Sequence, residues 1–221
     1  RQTARGQAVT GGGRRGRLVA LTFDDGPGPY TAAIVHELRR LRAPATFFLI
    51  GFQFQWYRPL LAEMGRDGFA LGDHTWHHPD LRRMSDRDVA RELSATARAV
   101  RQLAGVRPRL MRPPYGSFDR RVLRIARSQG LLTVLWNVDT DDWRQPGVDA
   151  IVQRAVAGAR PGAIILMHDG GGTRTQTLAA VPVIVRALRR RGFRLVTVPD
   201  LLAQAPPPPS ALTRGGRVLG D

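Results

Sequence analysis

The sequence predicts one α/β domain built around a parallel sheet. Short apolar segments alternate with segments of helical periodicity along most of the chain, and this alternation is typical of parallel α/β folds. With 221 residues, 43% of them hydrophobic and 24% charged, the chain is long enough to bury a full core in one domain. Periodicity alone leaves open whether the sheet curls into a small barrel or stays open and doubly wound.

The first predicted strand ends in two adjacent carboxylates. It covers residues 18–23 and continues into Asp24 and Asp25, which are followed by the turn-forming sequence Gly-Pro-Gly-Pro. Neighbouring side chains of a strand point to opposite faces, so a position inside the sheet would force one of these charges into a packed layer. The turn avoids this cost because it places both carboxylates at the carboxyl end of the strand.

The later strands and the helices follow from the same patterning. Apolar runs predict strands over residues 45–50, 70–72, 110–112, 131–138, 163–167 and 194–198. Helical spacing predicts helices over residues 32–41, 59–65, 86–103, 120–128, 148–157 and 177–191. Ser85 is the expected N-cap of the third helix, with Asp86 and Asp88 in its first turn.

Both ends of the chain differ in composition from the region between them. Residues 1–16 are rich in Gly and Arg and predict a basic N-terminal arm, while residues 203–221 predict a Pro-rich C-terminal tail. The folded domain is therefore expected to span residues 17–202. No apolar run approaches the ~20 residues that a membrane-spanning helix needs.

The charge of the chain is strongly positive. The formal net charge is +16, and all 34 basic residues are Arg. Uniform use of Arg is typical of genomic base-composition bias, although a basic surface also favours anionic partners such as nucleic acid or acidic cell-wall material. Because the charges are dispersed and no nucleic-acid-binding motif is found, we expect no nucleic-acid partner. The sequence contains no Cys and therefore excludes disulfides.

Ionisable residues collect after the carboxyl ends of five predicted strands. In a barrel these ends converge on one face, where active sites lie. Singly, each residue is compatible with a turn, a helix cap or a core position, and only their joint occurrence indicates a site. They are Asp24, Asp25, His74, His77, His78, Arg112, Asp139, Asp141, Asp142, His168 and Asp169.

The histidines suggest a cation site without defining it. His74 and His78 are four residues apart, so on one turn of helix they would share a face and bind one cation. His77 lies three residues from His74 and satisfies the same geometry. The spacing alone does not choose between His77 and His78.

Five ordered motifs resemble those of the polysaccharide deacetylases, the NodB-homology group that forms carbohydrate esterase family 4. The family's T-F-D-D-G-P stands at residues 22–27, its H-[ST]-x-x-H at 74–78, its R-x-P-Y at 112–115, its D-x-x-D-W at 139–143 and its L-x-H at 166–168. The resemblance spans roughly residues 18–202 and leaves both tails outside. It implies a distorted, often incomplete (β/α) barrel rather than an open sheet.

The resemblance also implies a metal centre. Asp25, His74 and His78 would bind one divalent ion, and the second motif thereby selects His78 over His77. Zinc is the expected metal, with Co²⁺, Ni²⁺ and Mn²⁺ as alternatives. Two neutral imidazoles and one carboxylate suit such a borderline cation, and an incomplete set of protein ligands is typical of catalytic sites.

By the same resemblance, the remaining motif residues carry the chemistry. Asp24 is the expected base and is oriented by Arg112, whereas His168 is the expected general acid and is held by Asp142. The backbone N–H of Tyr115 is expected to stabilise the oxyanion that develops on the substrate. The residues expected to contact the substrate are Pro114, Tyr115, Trp143 and Leu166.

The implied reaction is hydrolysis of N-acetyl groups from glycans that contain N-acetylglucosamine, such as peptidoglycan or chitin-like oligomers. Within the family, an O-deacetylase of acetylated xylan is the alternative. A non-haem iron oxygenase shares the set of two His and one carboxylate, but it leaves Asp24, Arg112 and His168 unexplained. We expect a monomer whose partner is the glycan, with no stable protein partner.

Three further features complete the sequence-based expectations. The chain begins with Arg1 rather than Met, so we expect a targeting or anchoring segment upstream of it and a location outside the cell or at the cell envelope. The aromatic segment at residues 52–57 is compatible with a sugar-binding groove and equally with a core position. No role follows for His77.

Overall fold

The computed structural model of the protein describes residues 6–215. Its strands are β1 (Ala8–Val9), β2 (Leu18–Gly26), β3 (Thr46–Leu49), β4 (Ala70–Asp73), β5 (Leu110–Met111), β6 (Leu132–Thr133), β7 (Val138–Asp139), β8 (Ala163–His168), β9 (Arg194–Leu195) and β10 (Leu212–Thr213). Its α-helices are α1 (Thr31–Arg40), α2 (Phe54–Arg66), α3 (Asp86–Ala104), α4 (Arg120–Ser128), α5 (Val148–Gly158), α6 (Thr175–Arg190) and α7 (Val198–Gln204). None of the helices in these residues has the length and apolar character needed to cross a membrane.

The centre of the fold is a curled parallel sheet that forms an incomplete barrel. Its strands lie in the order β6-β5-β4-β3-β2-β8-β7, and β9 pairs with the beginning of β2. The predicted α/β class and the distorted, incomplete (β/α) barrel are thus confirmed. β6 and β7 lie at opposite ends of this order, and the barrel is open between them.

The prediction of a single strand over residues 131–138 is wrong. Residues 132–133 pair with β5 and residues 138–139 pair with β8, so the segment between them crosses the opening of the barrel. Its backbone finds other partners. The carbonyl groups of Val134 and Leu135 accept hydrogen bonds from the side chain of Arg112.

Strand β2 is buried on both faces, which explains its uninterrupted apolar sequence. Val19, Leu21 and Phe23 pack into one core cluster with helices α1 and α6. Leu18 and Ala20 pack into a second cluster on the other face. The sheet therefore contributes to two buried layers, and the ends of its strands supply the site.

Most predicted helices are confirmed, with boundary shifts that have local causes. Ser85 caps α3 by accepting a hydrogen bond from the N–H of Asp88. Helix α2 begins at Phe54, earlier than predicted, but a kink at the non-helical Tyr57 divides it, so Pro59 lies in the first turn of its longer second part. Helix α7 was not predicted; its first residue was assigned above to a strand and its last two residues to the tail.

The described parts of both tails differ from the free arms that composition predicts. β1 pairs with β10, and Ala8 and Val9 are fully buried. The N–H of Gly12 donates to the carbonyl of Gly162, and the N–H of Leu135 donates to that of Val9. The segments that contain β1 and β10 thus pair with each other and with the barrel, and a few apolar residues and backbone hydrogen bonds fix their position. The domain limits at 17 and 202 remain a prediction.

Candidate active site

Asp25, His74 and His78 form a cluster at the carboxyl ends of β2 and β4. Oδ1 of Asp25 lies 3.4 Å from Nε2 of His74 and 3.2 Å from Nε2 of His78. Each residue offers a ligand atom within 4.8 Å of the other two. His74 is buried, and its Nδ1 lies 2.7 Å from the carbonyl oxygen of Arg112. That contact fixes the ring so that Nε2 faces the cluster.

The cluster has the chemistry that a divalent cation requires. Oδ1 of Asp25 is buried, and no group in residues 6–215 donates a hydrogen bond to it. Burial alone would raise the pKa of Asp25, but its interaction with the two imidazoles lowers that pKa well below the usual range. An ionised carboxylate that faces two imidazole nitrogens can bind a cation, and these residues fit a zinc-type site.

The loop that carries His74 and His78 is not helical, so the two rings do not meet through the spacing of a helical turn. Residues 74–78 instead form an irregular turn in which Thr75 and His78 have positive φ angles of 70° and 62°. The hydroxyl of Thr75 accepts a hydrogen bond from the N–H of His78. These unusual backbone conformations bring the two rings to a centroid separation of 4.9 Å.

The two adjacent carboxylates reach one site because strand β2 is irregular at Asp25. Asp24 shares a face with Thr22, and Nη1 of Arg112 donates to both side chains. Asp25 has a φ of 72°, and the pairing of β2 with β3 shifts register between Asp24 and Gly26. Such an irregularity redirects a side chain that the pleat would send to the opposite face.

Arg112 is the largest fully buried side chain among the described residues. Its guanidinium donates to Oδ1 of Asp24 at 2.7 Å and to two backbone carbonyls, and its central carbon lies 4.2 Å from the ring centroid of Phe48 and 5.4 Å from that of Trp136. The planar, fully bonded group holds the Asp24 carboxylate in one orientation. The geometry expected for Asp24 and Arg112 is therefore present.

His168 and Asp142 form the second polar pair. Nδ1 of His168 lies 2.7 Å from Oδ1 of Asp142, whose other oxygen accepts hydrogen bonds from the His168 N–H and from the hydroxyl of Thr177. Burial favours the neutral ring, but Asp142 outweighs it and raises the pKa of His168 to about 9. His168 is therefore protonated at neutral pH and can donate a proton through Nε2.

These groups open into one cavity of about 330 Å³. Tyr115 and Trp143 form its exposed rim, and Leu166 is a buried part of its wall. Tyr115 has a φ of 59° and stands second in a short 3₁₀ turn that Pro114 begins, so its N–H has no acceptor within that turn. Among the residues expected to contact the substrate, Pro114 is buried off the cavity, and Pro113 takes its place on the wall.

One supporting residue, Glu92, was missed by the sequence analysis, and Asp169 was placed among the ionisable residues of the site without a role. Glu92 on α3 accepts hydrogen bonds from the N–H groups of Trp76 and His77 and contacts the His77 ring, so it secures the turn of the two candidate ligands. Asp169 is fully buried, contacts the hydroxyl of Thr31, and has a pKa raised by burial to about 7. A Glu in a helix 14 residues beyond His78 gives no local signal of such a contact.

The loop after β8 approaches Asp25 so closely that side chains are excluded there. A Cβ added at Gly170 would collide with the backbone of Asp25, and one at Gly171 with its carboxylate. Arg174 secures this loop, because its guanidinium donates to the carbonyls of Gly170 and Gly171. The glycine run that follows His168 is thus a requirement of the site itself.

A candidate cation site that shares a cavity with a held carboxylate and an imidazole is the arrangement expected of a hydrolytic enzyme, here on a (β/α) barrel. The chain belongs to the polysaccharide deacetylase family. Residues 11–134 match the family model described as "Polysaccharide deacetylase".

Similar proteins agree with this assignment. A chitooligosaccharide deacetylase of Bradyrhizobium sp. (strain ANU 289) is 40% identical over 198 residues, which covers 84% of this chain and 90% of that protein. A peptidoglycan-N-acetylglucosamine deacetylase of Bacillus cereus is 39% identical, with 84% and 88% covered. The crystal structure of the Bc1960 peptidoglycan N-acetylglucosamine deacetylase superposes with a TM-score of 0.84 at 32% identity, with 87% and 91% covered.

Proposed function

We propose that the protein is a metal-dependent hydrolase that removes N-acetyl groups from glycans containing N-acetylglucosamine and releases acetate. The observation that carries this proposal is the meeting of Asp24, His168 and the cluster of Asp25, His74 and His78 in one cavity. The names of the similar proteins support the substrate class, because they include deacetylases of chitooligosaccharide and of peptidoglycan. Peptidoglycan and chitin-like oligomers are therefore the candidate substrates.

Asp24 acts as the base in the proposed reaction. Its carboxylate takes a proton from the attacking water, whose oxygen forms a bond to the acetyl carbonyl carbon. Arg112 aims the carboxylate into the cavity, because it donates to Oδ1 and leaves Oδ2 available. Removal of this base is expected to slow the reaction by roughly 10²–10⁴-fold.

His168 acts as the acid in the second half of the reaction. Its imidazolium donates the Nε2 proton to the amide nitrogen, the carbon–nitrogen bond breaks, and acetate and the free amine are released. Asp142 holds the ring by Nδ1 and favours its protonated form. The N–H of Tyr115 stabilises the negative charge that develops on the carbonyl oxygen.

Asp25, His74 and His78 would hold the divalent ion, for which we propose zinc. When bound there, such an ion lowers the pKa of water and stabilises negative charge on oxygen. The unpaired carboxylate oxygen of Asp25 and the His74 ring held by the Arg112 carbonyl support this assignment. Trp143 and Leu166 on the wall supply an apolar contact for the acetyl methyl group.

We also propose that the protein works as a monomer outside the cell or at the cell envelope. Peptidoglycan, named in the similar proteins, is a component of the envelope, and a net charge of +16 suits a surface that contacts anionic wall polymers. Salt extraction from an isolated envelope fraction, followed by sedimentation of the purified protein, tests both statements. Recovery from the cytosolic fraction would contradict the first and a stable dimer the second.

Acetate release tests the proposed function. The protein is stripped with a chelator, reloaded with one equivalent of Zn²⁺, and incubated with chitohexaose, peptidoglycan or acetylated xylan. We expect acetate from one or both of the first two substrates, its loss after chelation, and its near-loss in Asp24→Asn. Activity confined to acetylated xylan would identify the O-deacetylase alternative, and full activity of Asp24→Asn would overturn the assigned base.

A further inference from the structure

Large exposed aromatic side chains in residues 6–215 lie around the candidate site. Tyr115 and Trp143 form the rim of the cavity, whereas Phe52 and Trp56 lie outside it with 46% and 61% of their surfaces exposed. Exposed apolar groups that cluster beside a cavity indicate a binding surface. We call the group formed by Phe52, Trp56 and His77 the aromatic shelf.

The aromatic shelf lies next to the candidate metal site. Ring centroids of Trp56 and Phe52 are 5.3 Å apart, and those of Phe52 and His77 are 5.9 Å apart. His77 is followed directly by His78, whose ring lies 4.7 Å from that of Tyr115 on the cavity rim. The shelf thus lies beside the cavity, on a surface that no step of the proposed reaction uses.

The shelf is also held rigidly in place. Nδ1 of His77 lies 2.8 Å from Oε1 of Glu92, and the N–H of Phe52 donates to the carbonyl of Trp76. Next to Phe52, the side-chain amide of Gln53 donates to the carbonyl of Asp25. The shelf is therefore anchored to both loops that carry candidate metal ligands. A surface fixed in this way binds its partner with little loss of conformational entropy.

The chemistry of the shelf suits a sugar ring. A pyranose presents an apolar face of C–H groups that packs on an aromatic ring, while its hydroxyl groups stay in water. Trp56 supplies such a ring, and the exposed His77 beside it supplies a polar edge. A protein partner of ordinary affinity would need a far larger surface than these three side chains.

We propose that the aromatic shelf is a distal sugar subsite. It binds a sugar unit of the same glycan chain, beyond the unit whose acetyl group is in the cavity. This inference rests on the proposed function for its substrate class, and it adds that the enzyme prefers long oligomers to short ones. The contact between this sugar and the shelf increases the affinity for the glycan and does not change the rate of the chemical step in the cavity.

The length dependence of activity tests the subsite. In Trp56→Ala, we expect kcat/KM for chitohexaose to fall about tenfold, the loss of one aromatic contact of roughly 1.4 kcal/mol. The loss for chitohexaose should come from a higher KM with kcat unchanged. For chitobiose, the loss of kcat/KM should be smaller. Trp56→Phe should recover most of the affinity, and Val183→Ala, an exposed apolar residue on α6, should change neither substrate.

A binding measurement separates this inference from the proposed function. Calorimetry measures chitohexaose binding to Asp24→Asn and to Asp24→Asn with Trp56→Ala, so no turnover is required. Weaker binding in the double variant supports the subsite even if the wild type releases no acetate. Equal binding, or equal length dependence in Trp56→Ala and the wild type, overturns it. A change in self-association alone, measured by sedimentation, would identify the shelf as a contact between copies and overturn it as well.

Discussion

Arg112 shows how one residue links the opening of the barrel to the proposed catalytic base. Its guanidinium satisfies the carbonyls of Val134 and Leu135, which the split between β6 and β7 leaves without strand partners, and it holds Asp24 at 2.7 Å. Burial lowers the pKa of Arg112 and Asp24 opposes that effect. A charged group is kept in the core because every direction around it offers an acceptor or an aromatic face.

Arg112→Lys should lower kcat/KM roughly 100-fold, in the range expected for a misplaced general base. A single ammonium cannot reach Asp24 and both carbonyls together, so the carboxylate loses its fixed orientation. Steady-state kinetics on chitohexaose measure the effect. Arg121→Lys is the matched control, because Arg121 also donates to backbone carbonyls but lies away from the cavity. An equal loss of activity in both variants would assign Arg112 a purely structural role.

Asp142→Asn should move the alkaline limb of the pH–rate profile to lower pH by about 1–2 units. In the wild type, Asp142 raises the pKa of His168 above its ordinary value to about 9, so the acid form is present at neutral pH and is lost as the pH rises through that value. Without the carboxylate charge, this loss begins at lower pH. Asp141→Asn, which alters the neighbouring carboxylate, should leave the limb in place. An unchanged limb in Asp142→Asn would show that His168 is not the acid.

Among the elements, the carboxyl ends of the strands were predictable, but the backbone conformations that bring their side chains together were not. The apolar runs before Asp24, His74, Arg112 and His168 placed these residues at carboxyl ends, as the structure has them. The break in the run over residues 131–138 depends on Arg112 and on Val9, which are distant in sequence. Likewise, His78 enters the cluster through positive φ angles that no residue spacing reveals.

Glu92→Ala should weaken zinc binding and lower the free energy of unfolding by about 1–3 kcal/mol. The substitution leaves the N–H groups of Trp76 and His77 without their acceptor, and the turn between the two candidate ligands loses its anchor on α3. Competition with a chromophoric chelator measures the affinity, and urea titration measures stability. Glu92→Gln should restore much of both, since an amide oxygen accepts the same two hydrogen bonds. Zinc affinity that stays constant in Glu92→Ala would contradict the role assigned to this contact.

At the scale of the whole molecule, the chain ends complete the barrel. The pairing of β1 with β10 brings Val9 over the opening of the barrel. There its carbonyl accepts a hydrogen bond from the N–H of Leu135, and Val9 forms an isolated parallel β-bridge with Val134. Composition predicted free tails because so few apolar residues lie in them. Yet small residues also let the N-terminal segment pack closely on α7, because a Cβ added at Gly12 would collide with the side chain of Leu201.

Val9→Ala should lower the free energy of unfolding by about 1–2 kcal/mol, the usual cost of removing buried methyl groups. Val9 is fully buried against the segment that carries the Arg112 acceptors, so the loss affects the whole domain. Urea titration of the wild type and variant measures the difference. Arg14→Ala, an exposed change in the same segment, should have no effect. A fully stable Val9→Ala protein would show that the end segments do not contribute to the domain.

We propose that distant loops of this barrel create one cation site from Asp25, His74 and His78. Calorimetric titration of the metal-free protein with Zn²⁺ tests it directly, with His78→Ala as the ligand variant and His77→Ala as its adjacent control. We predict one ion per chain in the wild type and in His77→Ala, and loss of this binding in His78→Ala. Zinc that remains bound to His78→Ala but is lost from His77→Ala, or a wild type that binds none, would contradict the site.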